Sequence, residues 1–196
     1  VILGQGVYAQ QVIPLPDLYN PAITTGVPFL LINADARSAG MGDMGAASST
    51  DVFSQQHNPA KYAFAEDEHG VGISYTPYLT SIANDISLAQ LNYYYKLNER
   101  SAFATSLRYF GLGDIELREN YDDLVRTVSP NELALDASYS LKLDEQFSMA
   151  VAGRYIRSAL KVPDGTSDAS AANAFAFDVA AYFQSEEVAN IGSKGG

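Results

Sequence analysis

Gly40, Gly42 and Gly45 in GMGDMG spell G-x-G-x-x-G, the spacing that lets backbone amides approach a dinucleotide pyrophosphate, and Glu66 follows about where a ribose-binding carboxylate would stand. That chemistry also needs a buried strand before the glycines, a helix after them and a parallel crossover. The chain downstream alternates as antiparallel strands do, so the glycines are expected to serve close backbone packing and turns with positive φ. His57 and His69 are the only imidazoles, and neither has a partner at metal-ligand spacing. His57, beside Asn58 and Pro59, reads as a turn residue and His69 as a strand entrance. The absence of cysteine removes thiolate nucleophiles, thiolate metal sites and disulfides together. There is no G-x-S-x-G elbow and no phosphate loop. No catalytic, cofactor-binding or metal-ligating set is expected, and the chain is read as a non-enzyme.

Other polar residues suit structure or docking. Asp35 and Arg37, two apart, are expected to form an ion pair that anchors a compact, glycine-rich plug, with a functional gate as the alternative. Gln90, Asn92, Arg108, Asp136, Arg154 and Asp178 fall on the polar side of candidate strands. They either solvate and cross-link an enclosed space or line a polar path and hold a plug. Between 113 and 131, Asp114, Glu116, Glu119, Asp122 and Asp123 stand against Arg118 and Arg126. Such a run is either merely solvated or an outward docking surface.

The elements that must position these residues are strands. In ELALDASYSLKLD, Leu133, Leu135, Ala137, Tyr139, Leu141 and Leu143 share one side of an extended chain; Glu132, Asp136, Ser138, Ser140, Lys142 and Asp144 share the other. Five similar runs, at 71–76, 89–97, 103–109, 147–155 and 174–183, bring the total to about six strands. Tight turns near 98–100 and 144–146 alternate with long polar loops at 113–131 and 159–172, and a medium loop lies near 80–85. Short connections on one side and long ones on the other are the arrangement of an up-and-down membrane barrel. The charges Lys96, Arg108, Asp136, Lys142, Arg154 and Asp178 all avoid the apolar side. Arg157 breaks the parity, but lies near a long loop where its stem can snorkel.

A formal charge of -11 argues against nucleic acid as a partner. No apolar run approaches the roughly 18 to 20 residues of a transmembrane helix, which leaves a barrel open because its strands are only half apolar. Residues 1–9 resemble the end of a secretory signal. The prolines of 10–32 predict an extended lead-in. Residues 33–68 predict a hatch or plug, with short helices around 34–39 and 49–55. Residues 69–196 predict the first half of a barrel, because about eight strands are the minimum for closure.

Particular strings then matter. DARSAGMGDMGAASSTDVFSQQHNPAKYAFAE, GVGISYTPYL and DISLAQLNYYYKL, with SLRYFGLGDIEL, FSMAVAGRYIRS and NAFAFDVAAYF, closely resemble the PorV family of type IX secretion barrels. That family is itself related to the FadL fatty-acid transporters. Arg37, Gly40, Gly42 and Asn58, Pro59, Ala60 match a stretch shared by the wider FadL-like group. The resemblance runs over about 33–184. It implies an all-β, transmembrane antiparallel barrel with an N-terminal hatch and about fourteen strands when complete. It further implies a place in the Gram-negative outer membrane, with outer-membrane lipid around the barrel. The role implied is binding cargo that carries a C-terminal signal domain, and escorting it from the SprA translocon to PorU-like attachment proteins. The rival reading is transport of a hydrophobic small molecule. The polar character of the inward residues favours escort.

Overall fold

A computed structural model of the chain describes residues 27–78, 86–117, 126–160 and 171–185. The signal-like residues 1–9 and the loop near 80–85 lie outside these, as do most of 10–32 and of the loop at 159–172. Strands β1 (His69–Pro77), β2 (Ile86–Asn98), β3 (Ser101–Leu112), β4 (Ile115–Leu117), β5 (Arg126–Val128), β6 (Asn131–Lys142), β7 (Phe147–Ala159) and β8 (Ala172–Phe183) follow in sequence. Six of them form one sheet in the order β1-β2-β3-β6-β7-β8, with every pair antiparallel. The chain is therefore all-β, and each of the six alternating runs is a strand of this sheet. Among the described residues, β1 and β8 pair on one side only.

Period-two alternation puts every second side chain on the same face, and here the two faces are inverted relative to a soluble sheet. Ile73 is 76% exposed and Phe177 84%, and Val71, Leu91, Phe103, Leu107, Tyr109, Leu135, Tyr139 and Val151 share their face. On the opposite face Asn92 is 0% exposed and Asp136 4%, with Gln90, Ser106, Arg108, Glu132, Ser138, Ser140 and Ser148 also buried. Burial of polar groups is tolerable only where they find partners. The residues before β1 supply a large share of those partners.

That N-terminal segment holds a 3-10 turn Pro28–Leu31, helix α1 (Ala36–Gly40), helix α2 (Ser54–His57) and a second 3-10 turn Pro59–Phe64. Asp35 caps α1 by accepting from the amides of Arg37 and Ser38. Asn58 does the same for the second turn through the amide of Ala60, with Pro59 at its first position. The segment buries Phe29 with Ala134 and Ile156, and Tyr62 with Tyr94, Ala102 and Ala104, against the polar face of the sheet. Small residues on β3, β6 and β7 leave the room it occupies.

The sequence reading misplaces three local features. The extended lead-in already turns at Pro28, whose fixed φ suits a first helical position. The helix expected at 49–55 is the single turn Ser54–His57, because Ser54 bonds the Asp51 carboxylate and starts the helix there. The loop at 113–131 is not wholly irregular: β4 and β5 pair as a separate two-stranded ribbon, with Ile115 opposite Val128.

Candidate functional site

The polar face of the sheet holds the N-terminal segment by its main chain. Asn92 Nδ2 donates to the Val52 carbonyl at 3.0 Å, Arg108 Nη1 to Leu30 at 3.0 Å, Lys96 Nζ to Ala65 at 2.6 Å and Ser148 Oγ to Ala60 at 2.7 Å. Ser74 Oγ reaches the Ala34 carbonyl. In the reverse direction Asn58 Nδ2 donates to the Ala181 carbonyl of β8 at 3.0 Å. Ser138 Oγ adds a side-chain contact to Gln55 Oε1 at 2.6 Å. Each such bond contributes about 1 kcal/mol net, but removing one donor strands a buried carbonyl at about 1 to 3 kcal/mol. The seven contacts join the segment to β1, β2, β3, β6, β7 and β8.

Of the six polar strand residues singled out in the sequence, Gln90, Asn92 and Arg108 form one chain. Gln90 Nε2 donates to Asn92 Oδ1 at 2.8 Å and Arg108 Nε donates to Gln90 Oε1 at 3.2 Å. Asp136, Arg154 and Asp178 form another. Arg154 Nε bonds Asp136 Oδ1, Ser106 Oγ donates to Asp136 Oδ2 at 2.9 Å, and Arg154 Nη1 lies 3.8 Å from Asp178 Oδ2. Asp178 is much less covered than Asp136, because the N-terminal segment stops short of most of β8. Arg157 stands exposed on the apolar face near the end of β7.

The compact segment has its own wiring. Arg37 does not pair with Asp35: Asp35 is consumed as a helix cap, and Arg37 Nη1 lies 3.1 Å from Asp51 Oδ2 while Nη2 donates to Ser49 at 2.8 Å. Gly40 precedes a tight turn at Gly42, where φ is +74°. Gly45 lies against His57, so that a Cβ there would stand 2.2 Å from the ring. Gly40 thus ends α1, Gly42 makes the turn and Gly45 alone of the three serves packing, so the glycines close a helix where a dinucleotide turn would open one. His57 Nε2 meets Ser38 Oγ at 3.0 Å. Burial, then the nearby Lys61 charge, lowers the His57 pKa below its ordinary value. Lys61 is itself buried; its Nζ donates to the Gly45 carbonyl at 2.8 Å and to Ser48 Oγ at 3.1 Å, and burial lowers its pKa. Pro59 and Ala60 are buried beside it.

In the loop at 113–131, Asp114 and Glu116 are exposed on the described side, and Asp114 accepts from Ser129. Glu119, Asp122 and Asp123 lie outside the described residues. Sequence reasoning missed Gln55, Lys61 and Ser148 as site residues, and it put Ser138 and Glu132 on the polar side without singling them out; Glu132 is buried and accepts from Ser158 at 2.9 Å. The serines carried a usable signal, since Ser138 and Ser140 keep parity with Asp136. Gln55 and Lys61 carried none, because their partners lie far away in sequence. Among the described residues no cluster of His, Asp or Glu suits a metal ion, and no helix is long and apolar enough to cross a membrane.

The family model described as "Type IX secretion system protein PorV" matches residues 17–195. No curated protein matches the chain.

Proposed function

The chain belongs to the PorV family of type IX secretion system proteins, and from this premise we propose that it is an outer-membrane barrel protein that binds exported cargo and escorts it. The family is a family of secretion components and not of enzymes. In this reading the six-stranded sheet is one arc of a closed barrel, its apolar face meets lipid and residues 33–68 are the hatch. Cargo carrying a C-terminal signal domain is received from the SprA translocon and passed to PorU-like attachment proteins.

The single observation that carries the membrane part is the inverted burial. A soluble sheet would not leave Ile73, Phe103, Leu135, Val151 and Phe177 in water while burying Asn92, Arg108 and Asp136. From Leu133 to Leu143 the apolar row spans about 34 Å along the strand, or about 26 Å across a membrane at a tilt of about 40°. That matches the apolar band of about 25 Å in outer-membrane barrels. Among the described residues β1 and β8 pair on one side only, which also supports a closed barrel, since lipid cannot satisfy a free strand edge.

Escort is favoured over transport of a hydrophobic small molecule by the character of the hatch seat. The hatch is bonded to five strands, Leu30 just before it is bonded to β3, and the groups between hatch and sheet are largely polar. Docking then falls to the loops at the long-loop end, where Asp114 and Glu116 face solvent beside the β4–β5 ribbon, and where Glu119, Asp122 and Asp123 belong to the same acidic run. Deleting 114–130 from the full-length protein is expected to leave membrane insertion intact and to reduce cargo co-purification severalfold. Undiminished co-purification would remove this loop from the mechanism.

A further inference from the structure

At the opposite end of the sheet, where β2 turns into β3 and β6 into β7, a cavity of about 470 Å³ opens between the N-terminal segment and the strands. Phe64, Tyr94 and Tyr182 wall it, and Glu66 and Asp67 stand at it as exposed carboxylates. Phe64 meets Tyr182 edge to face with ring centres 5.7 Å apart. Tyr94 is 6% exposed, its ring tilted against that of Tyr62 with centres 5.1 Å apart and lying over Gly70, where a Cβ would stand 2.1 Å from it. Its hydroxyl has no hydrogen-bond partner among the described residues, and Asp67 lines the same cavity.

The cations nearby already have partners. Arg37 is on Asp51, Lys96 donates to the Ala65 carbonyl, and Lys142 sits over the Phe64 ring at 5.0 Å. Glu66 and Asp67 have no ion-pair partner among the described residues. Two acceptor-only carboxylates, an unpaired phenol and aromatic walls ask for a flat cation that donates several hydrogen bonds and tolerates ring faces. Ammonium is a point charge with three donors, whereas guanidinium is planar with five. Guanidinium also stacks on aromatic rings.

We propose that this cavity takes the guanidinium of an arginine presented by a partner polypeptide at the short-turn end of the sheet. The arginine stem enters beside Tyr94 and Tyr182, and the head group bonds Glu66, Asp67 and the Tyr94 hydroxyl. The site stands at the far end of the sheet from the 113–131 loop and does not depend on cargo capture there.

Calorimetry with the full-length protein in detergent tests this, using a short capped peptide carrying one arginine and the same peptide with neutral, nearly isosteric citrulline. The arginine peptide is expected to bind with a millimolar or tighter Kd and the citrulline peptide at least about tenfold more weakly, a difference of about 1.4 kcal/mol. Glu66→Gln combined with Asp67→Asn should remove about tenfold in affinity, and Tyr94→Phe a few fold. A control triple variant, Glu99→Gln, Asp144→Asn and Glu145→Gln, removes carboxylates at the same end but outside the cavity, and should bind as the unaltered protein does. Equal binding of the two peptides overturns the proposal. So does no binding at about 10 mM peptide, or an equal loss in the control variant, which would mean diffuse attraction to an acidic end.

Discussion

The imidazole of His57 fills the space that a side chain at Gly45 would need, with its Cδ2 2.2 Å from the position of a Cβ at residue 45. The contact ties the glycine-rich stretch to α2, and Ser38 of α1 holds the adjacent ring nitrogen, Nε2. Three pieces of the N-terminal segment therefore meet at one imidazole.

Gly45→Ala is expected to force that ring out of place and to loosen the segment, at about 1 to 3 kcal/mol for an overpacked site. The main chain of the sheet does not depend on the contact. Limited proteolysis should show faster cleavage within 40–57, with the heat-modifiable mobility of the inserted protein unchanged. Unaltered cleavage would remove His57 from the packing of the segment.

The lowered pKa of His57 gives a signed pH dependence. Its folded value lies below 6.5, so the unfolded segment binds the extra proton first. Stability of the segment is full above that value, falls as pH drops through 6.5 towards the folded pKa, and levels off below it. Hydrogen exchange at 51–57 should accelerate relative to the strands as pH falls through 6.5 towards the folded pKa. His57→Gln should abolish this added slope; an identical slope in that variant would assign it to another group.

Phe177 and Asp178 are neighbours on β8 that point to opposite faces, and the N-terminal segment covers neither. Phe177→Arg is expected to cost up to about 2 to 4 kcal/mol in membrane insertion, whereas Asp178→Arg should insert nearly as the unaltered protein. The measurement is the yield of heat-modifiable protein in the membrane fraction. Equal yields would contradict the assignment of the exposed apolar face to lipid.

Much of the sheet was legible in the sequence, because strand geometry writes itself with period two. Leu133, Leu135, Tyr139 and Leu141 could share a face only if the chain were extended, and their polar neighbours then had to share the other. The six strands, their order and the parity of Arg108, Asp136 and Arg154 follow from such local facts. The small ribbon β4–β5 escaped because three residues per strand are too few for a period to register. The pairing of Arg37 with Asp51 escaped because a helix cap had a stronger claim on Asp35 than a side chain two residues away.

The sequence by itself determined which residues stand on each side of the strands, that no thiolate, metal or nucleotide chemistry was to be expected, and which family the chain resembles. Tertiary structure alone decided what the polar side is for. Asn92 meets Val52 across 40 residues and Ser138 meets Gln55 across 83, and no local pattern encodes such separations. A buried amide or hydroxyl must be paired, but its residue type does not name the partner; only the packing of the N-terminal segment onto the sheet does.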